Sequence, residues 1–160
     1  MQTLKIHLYH ISKKNSSISV ETEGNYIQRI QKYIPFDSVT IAPQKDNRSL
    51  SVSSLQQKES EMILSKIPPG IPFYLLDEKG KEYHSKGFAQ FINKTMSNSS
   101  RDIYFLIGGA YGFDDIIRSK SNGIISLSKL TLPHQLARLM FLEQLYRAFS
   151  ILHNQPYHHD

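Results

Sequence analysis

The sequence predicts an α/β domain with a parallel sheet and helices on both of its faces. Three observations predict it. Short runs rich in β-branched and aromatic residues alternate with longer segments of helical spacing, the pattern of strand-helix units. One of those runs, Ile71-Pro-Phe-Tyr-Leu-Leu76, is apolar almost without a break, as a strand covered on both faces is. The chain has 160 residues, which suffices for one domain burying roughly two-thirds of its unfolded surface and does not require a second.

Each element can be read in order. Leu4 to Ile11 is the first strand. Glu21 to Ile34 carries Tyr26, Ile27, Ile30, Tyr33 and Ile34 at helical spacing, and Pro35 stops it. Ser38-Val-Thr-Ile41 is the second strand, followed by a polar loop from Pro43 to Arg48. Ser49 to Lys66 makes a helix with Leu55, Met62 and Ile63 on its apolar side, ended by Pro68-Pro-Gly70. After the third strand, Asp77-Glu-Lys-Gly80 has turn chemistry, and Ser85 is suited to cap the helix that carries Phe88, Phe91 and Ile92. Ile103 to Ile107 is the fourth strand, Asp114 to Ser119 a short helix, and Gly123 to Leu127 the fifth strand.

The last helix, Pro133 to Leu152, has Thr131 as its expected cap and Pro133 in its first turn. Its apolar residues spread around most of the circumference, so it wants two apolar neighbours. The expectation is that the sheet supplies one and the same helix of a second subunit the other, about a two-fold axis, with Phe141 and Leu145 in that interface.

With 39% hydrophobic and 21% charged residues the chain is an ordinary globular protein. Its longest apolar runs, such as Tyr104-Phe-Leu-Ile107, are far too short to span a bilayer. Lys5, His7 and His10 interrupt the stretch where a signal peptide would need continuous apolarity, so a cytoplasmic protein without a membrane partner is expected. There are no cysteines, which excludes disulfides, thiolate metal sites and a cysteine nucleophile. His153, His158, His159 and Asp160 cluster in sequence, but in a terminal tail they are read as binding no metal. The net charge is +5 and the isoelectric point about 9.3, which permits an acidic partner. From Ile116 onward five cations, Arg118, Lys120, Lys129, Arg138 and Arg147, meet only Glu143 and Asp160, a net +3 that is either a solvated face or a phosphate-binding one.

Two motifs carry chemistry. Gly108-Gly-Ala-Tyr-Gly112 directly follows a strand, where bare backbone lets a ligand approach the carboxyl edge of the sheet, although a tight turn would look the same. It is not the dinucleotide fingerprint, and no phosphate-cradling P-loop is present. Ser126-Leu-Ser-Lys-Leu-Thr-Leu-Pro-His134 joins a strand to a helix N-terminus and offers amides and carbonyls suited to an adenine ring and a carboxylate.

These segments, with Glu143-Gln-Leu-Tyr-Arg-Ala148 and Pro156-Tyr-His158, resemble the RlmH-type enzymes of the SPOUT superfamily. Those are small knotted methyltransferases that use S-adenosylmethionine to methylate a pseudouridine of bacterial large-subunit ribosomal RNA. The resemblance covers most of the chain and is densest from Leu75 onward. It implies one SPOUT domain over 1–160, with a trefoil-knotted cofactor region at about 103–152, a tail at 153–160, and a homodimer. It implies that Leu76, then Gly108, Gly109 and Gly112, then Leu127, Ser128, Lys129, Leu130, Thr131 and Leu132 cradle the cofactor. The implied acceptor is N3 of a pseudouridine in 23S rRNA on the assembled ribosome. Lack of a thiolate agrees with a nitrogen acceptor, since ring-carbon methylation commonly needs a covalent nucleophile.

Transfer to N3 requires loss of its proton, for which a histidine is the natural base. His158 is the candidate, with Tyr157 beside it, while Arg138, Arg147 and His159 are assigned to RNA. Two other readings remain: a non-catalytic RNA-binding module that keeps the fold, and a methyltransferase acting on tRNA. The first is suggested by Ala110 and Tyr111 where the family loop reads Gly-Gly-Pro-Glu-Gly, and by His159 where its tail reads Tyr-His-Arg.

Overall fold

Among the described residues five strands and five helices follow one another as β1 (Ile6–Ile11), α1 (Val20–Gln31), β2 (Phe36–Ile41), α2 (Val52–Leu64), β3 (Phe73–Glu82), α3 (Ser85–Asn98), β4 (Ile103–Ile107), α4 (Asp115–Lys120), β5 (Gly123–Ser126) and α5 (His134–Leu152). The computed structural model describes residues 3–14, 16–45, 49–99 and 101–159. Arg48, at the end of the expected polar loop, and Asp160 of the expected tail cluster lie outside them. The strands form one sheet in the order β2-β1-β4-β3-β5, with every pair parallel.

Side-chain alternation along the strands divides the core in two. Ile6, Leu8, Ile103, Phe105 and Ile107 point to one face, where Ile30 of α1, Phe88 and Ile92 of α3, and Phe141, Leu142 and Leu145 of α5 meet them. Leu75, Tyr104 and Leu106 point to the other, against Ile63 of α2 and Ile117 of α4. Helices therefore cover both faces, as parallel strands require.

Three local expectations are corrected. The sequence places a turn at Asp77–Gly80, but β3 continues to Glu82 through a register shift against β5 between Leu76 and Lys81. Gly80 explains the misreading. A Cβ there would come 2.5 to 2.6 Å from backbone atoms of Ile124 and Ile125, so the glycine serves close strand contact and not reversal. Ser85 does not cap α3; His84 holds that position and Ser85 donates to Gln144 Oε1 at 3.0 Å, tying α3 to α5. Thr131 does not cap α5, which begins behind Pro133 with no side-chain cap, and its hydroxyl donates to Glu78 Oε2 at 2.7 Å.

The expectation for α5 changes as well. It lies beside α1 and α3, with Tyr33 stacked on Phe149 on one flank and Phe88 edge-on to Phe141 on the other. Both apolar neighbours thus come from its own chain. Phe141 and Leu145 are fully buried in that core, so they are not available to a subunit interface, and charges there would unfold the chain. Of its other apolar residues, Leu136, Leu139 and Met140 in the first half of the helix are half-buried.

The helix ends at His153 in a tight reversal. Asn154 takes a left-handed backbone with φ of 54°, and Asn154 and Gln155 donate back to the carbonyls of Ile151 and Ser150 at 3.1 and 2.8 Å. This is a Schellman closure, and Pro156 prevents further helix.

Candidate active site

A cleft of about 900 Å³ opens at the carboxyl ends of β3, β4 and β5, where ligands of open α/β sheets bind. Its first wall is the loop after β4. An added Cβ on Gly108 would stand 3.3 Å from the backbone of Gly112, so the two arms of the loop close on each other and present bare backbone. Gly112 has φ of +73°, and its N–H donates to the Gly109 carbonyl at 3.1 Å, which fixes the turn. Gln56 of α2 donates to the Tyr111 carbonyl at 2.6 Å and holds the loop from outside.

The second wall is the segment between β5 and α5. Ser126 donates to the Ser128 carbonyl at 2.8 Å, and the Leu130 amide donates to Ser128 Oγ at 3.0 Å. Leu127, Ser128, Leu130, Thr131 and Leu132 line the cleft beside Leu76, Gly108, Gly109 and Gly112. Lys129 is not among the lining residues; its ammonium is highly exposed and lies 3.4 Å from Glu82. His134 and Ala137 of the first α5 turn also line the cleft. Because Pro133 at the N-cap offers no side-chain hydrogen bond, the first amides of that helix and the positive end of its dipole suit an anionic group. Burial, then Arg138, pushes the His134 imidazole down, which keeps it neutral.

Sequence reasoning missed the ion pair inside this cleft, Arg118 to Asp77 Oδ2 at 2.7 Å. A long-range pair leaves no local pattern. Asp77 alone carried a signal, since it follows the apolar run of the third strand at the sheet's ligand-binding edge. Missed too was Glu59 of α2. It is 8% exposed, its Oε2 lacks a hydrogen-bond partner among the described residues, and it fits where a Cβ on Gly109 would come within 2.5 Å.

Burial raises the Glu59 carboxyl above its ordinary value, so the folded chain holds this proton to higher pH than the unfolded chain. Stability contributed by the group is therefore present below the unfolded value and lost as pH rises through the folded one. Glu59→Gln is expected to raise neutral-pH stability by about 1 kcal/mol. The gain should vanish near pH 4, as read by urea denaturation at both pH values.

The expected RNA-binding cations part company. Arg138 is 4% exposed and all three of its guanidinium nitrogens bond within the chain. It donates to Glu23 Oε1 at 3.0 Å, His10 Nδ1 at 3.1 Å, Ser12 Oγ at 3.3 Å and the Ser16 carbonyl at 2.8 Å. Arg138 is thus corrected from a phosphate contact to an interior tie. Burial, with Arg138 and His134 nearby, pushes the His10 imidazole down to about 3, so it accepts as a neutral ring.

Arg147 is partly accessible. It pairs with Glu143, sits 4.7 Å over the Tyr157 ring, and donates to His158 Nδ1 at 3.2 Å. Tyr157 donates to Glu143 Oε1 at 3.2 Å and packs edge-on against Tyr146 at 4.6 Å. Burial, then the Tyr26 contact, raises the Tyr157 phenol beyond the usual tyrosine range, so it acts as a donor and not as a base. His159 is exposed.

Within one chain none of the described tail residues lines the cleft. The α5 residues that do are His134 and Ala137, whereas the tail packs at Glu143, Tyr146 and Arg147, about 10 to 15 Å further along the helix at 1.5 Å per residue. Among the described residues no group of three histidine, aspartate or glutamate side chains could hold a metal, and no helix is long and apolar enough to cross a membrane.

The fold resembles that of a probable methylase family protein from Haemophilus influenzae, with a TM-score of 0.51 and 10% identity over 97% of this chain and 70% of that one. Sequence comparison reaches further. Ribosomal RNA large subunit methyltransferase H of Parabacteroides distasonis is 41% identical over 157 residues, covering 98% of this chain and all of the relative. The protein of the same name from Flavobacterium psychrophilum is 43% identical over 156 residues, covering 98% and 99%. The sequence model of the family described as predicted SPOUT methyltransferase matches residues 4–158. A cleft at the sheet's carboxyl edge, with likeness along nearly the whole sequence, leads to one assignment: the chain belongs to the SPOUT methyltransferase family.

Proposed function

We propose that this chain uses S-adenosylmethionine to methylate N3 of a pseudouridine in 23S rRNA on the assembled ribosome, acting in the cytoplasm as a homodimer. The observation that carries the reading is the cleft. Its bare glycine backbone, an uncapped 19-residue helix and a volume of about 900 Å³ suit a ligand that combines a planar base with an amino-acid carboxylate. Relatives at 41% and 43% identity that carry the name of large-subunit rRNA methyltransferases support the acceptor class. We take 1–160 as one domain, with about 103–152 as its knotted region.

The residues that would hold the cofactor are Leu76, Gly108, Gly109, Gly112 and the segment from Leu127 to Leu132, with Lys129 directed outward. The amides at the start of α5 would take its carboxylate. Bound there, the cofactor supplies a methyl group already activated as a sulfonium, which leaves the protein to orient the base and move its N3 proton. His158 would receive that proton. Arginine is donor only, so Nδ1 of His158 accepts from Arg147, and proton uptake at that atom requires Arg147 to let go. Phosphate contact with Arg147 would favour that release, with Tyr157 holding the neighbouring position and His159 toward RNA.

Separation of tail and cleft within one chain supports a dimer in which each tail serves the partner's cleft. The test uses labelled cofactor, ribosomes from a strain lacking the modification, and tRNA as a second acceptor. N3-methylpseudouridine is expected in 23S rRNA by nucleoside mass spectrometry; label in tRNA alone, or no transfer, would overturn the proposal. His158→Ala should lower the rate by ~100-fold or more. Refolded mixtures of Gly108→Val and His158→Ala subunits should regain about a quarter of wild-type activity, as random pairing gives one intact shared site per mixed dimer.

A further inference from the structure

The protein has nine tyrosines, and eight are packed against another aromatic ring. Tyr111 is the exception among the described residues. It is 48% exposed and lines the cleft, yet has no ring partner. An aromatic left uncovered on an otherwise packed protein has a face to offer.

Its presentation is fixed from behind. Gln56 holds the Tyr111 carbonyl at 2.6 Å, while Gly112 at φ of +73° and the Gly112 to Gly109 hydrogen bond set the turn that carries the ring. Leu130, 73% exposed, lines the same cleft from the opposite loop. The bare glycines and the α5 N-terminus supply backbone contacts, but Tyr111 and Leu130 bring exposed apolar surface to the cleft. Its 900 Å³ also lies near the top of the roughly 300 to 1,000 Å³ usual for a single small ligand, leaving space for a second planar group.

We infer that Tyr111 is the stacking surface for an unpaired base of the RNA substrate as that base enters the cleft, with Leu130 bounding its path. The inference rests on the RNA-methyltransferase reading above. Single-stranded bases are recognised by stacking on aromatic faces, an interaction that tolerates any base and needs no hydrogen bond. A ring used in this way must be exposed before substrate arrives, and its loop must be rigid enough that ordering it costs little.

The experiment compares wild type with Tyr111→Ala, Tyr111→Phe and Tyr111→Trp. Four properties are read: steady-state transfer to unmodified ribosomes, calorimetric affinity for S-adenosylmethionine, urea midpoint and light scattering. Tyr111→Ala is expected to lower kcat/KM for ribosomes by ~10-fold or more, within the range for loss of one base-aromatic stack. Cofactor affinity, stability and oligomeric state should stay at wild-type values, and the phenylalanine and tryptophan variants should retain activity.

Unchanged kcat/KM in Tyr111→Ala would overturn the inference, and so would a phenylalanine variant as impaired as the alanine one. An equal loss of cofactor affinity would assign the ring to the cofactor, and a changed oligomeric state would assign it to a subunit contact; either result overturns the inference. Wild-type transfer to rRNA keeps these failures separate from failure of the functional proposal itself.

Discussion

Arg138→Leu is expected to lower folding stability by about 3 to 5 kcal/mol, the usual consequence of breaking one side of a buried ion pair. The loss has identifiable parts. Glu23 would keep a charge with only 14% of its side chain exposed, and His10, Ser12 and the Ser16 carbonyl would lose their common donor. Urea denaturation should show a lower midpoint at an unchanged m-value, and Glu23→Gln placed on the variant should recover part of the loss. A side chain that served only RNA phosphates would behave differently: its removal would spare stability and weaken the salt-dependent affinity for RNA.

Gly108→Val is the second large effect, and it falls on binding. A Cβ alone would stand 3.3 Å from the Gly112 carbonyl, tighter than ordinary packing, and valine adds two methyl groups beyond it. The loop must open, which moves the backbone that forms one wall of the cleft. Affinity for S-adenosylmethionine is expected to fall at least ~100-fold, equal to about 2.7 kcal/mol, in calorimetric titration. Gly108 lies after the last residue of β4, so overpacking should cost no more than about 1 to 3 kcal/mol of stability. Wild-type affinity in a folded Gly108→Val protein would exclude this loop from the cofactor site.

Much of the fold was legible because periodicity and strand apolarity are local. The five strands and five helices follow the alternation of apolar runs, and the short helix expected over Asp114 to Ser119 spans Asp115–Lys120, with the Asp114 side chain as its cap. Gly80 shows where such reading stops. Asp77-Glu-Lys-Gly80 has turn composition, while the contact that makes it a strand is with Ile124 and Ile125, far along the chain. The final helix misled for a different reason. The sheet is wide enough to carry α1, α5 and α3 side by side, so α5 finds both apolar neighbours at home.

The cleft was legible in part, because glycine after a strand marks a place where backbone is exposed. What packs behind it depends on chain path. Glu59 arrives from α2 beneath Gly109, and no spacing connects them. Arg138 was readable after all. It lies on the stripe shared with Phe141, Leu142 and Leu145, which are buried, and its helical position outweighed its charge.

The pairing of β1 with β4 sets the order in which this chain can acquire structure. Ile6 lies opposite Ile103, and the Lys5 amide bonds Asp102 at a sequence separation of 97 residues. During synthesis β1 can meet β2 early, but its other edge stays open until β4 has emerged. Such non-local parallel pairing makes folding slow and leaves an unpaired apolar strand exposed to association with other chains. The cleft, built on β3, β4 and β5, comes later still, so a nascent chain has no cofactor site with which to stabilise itself. Expression yield should therefore respond more to temperature and chaperone supply than to cofactor concentration.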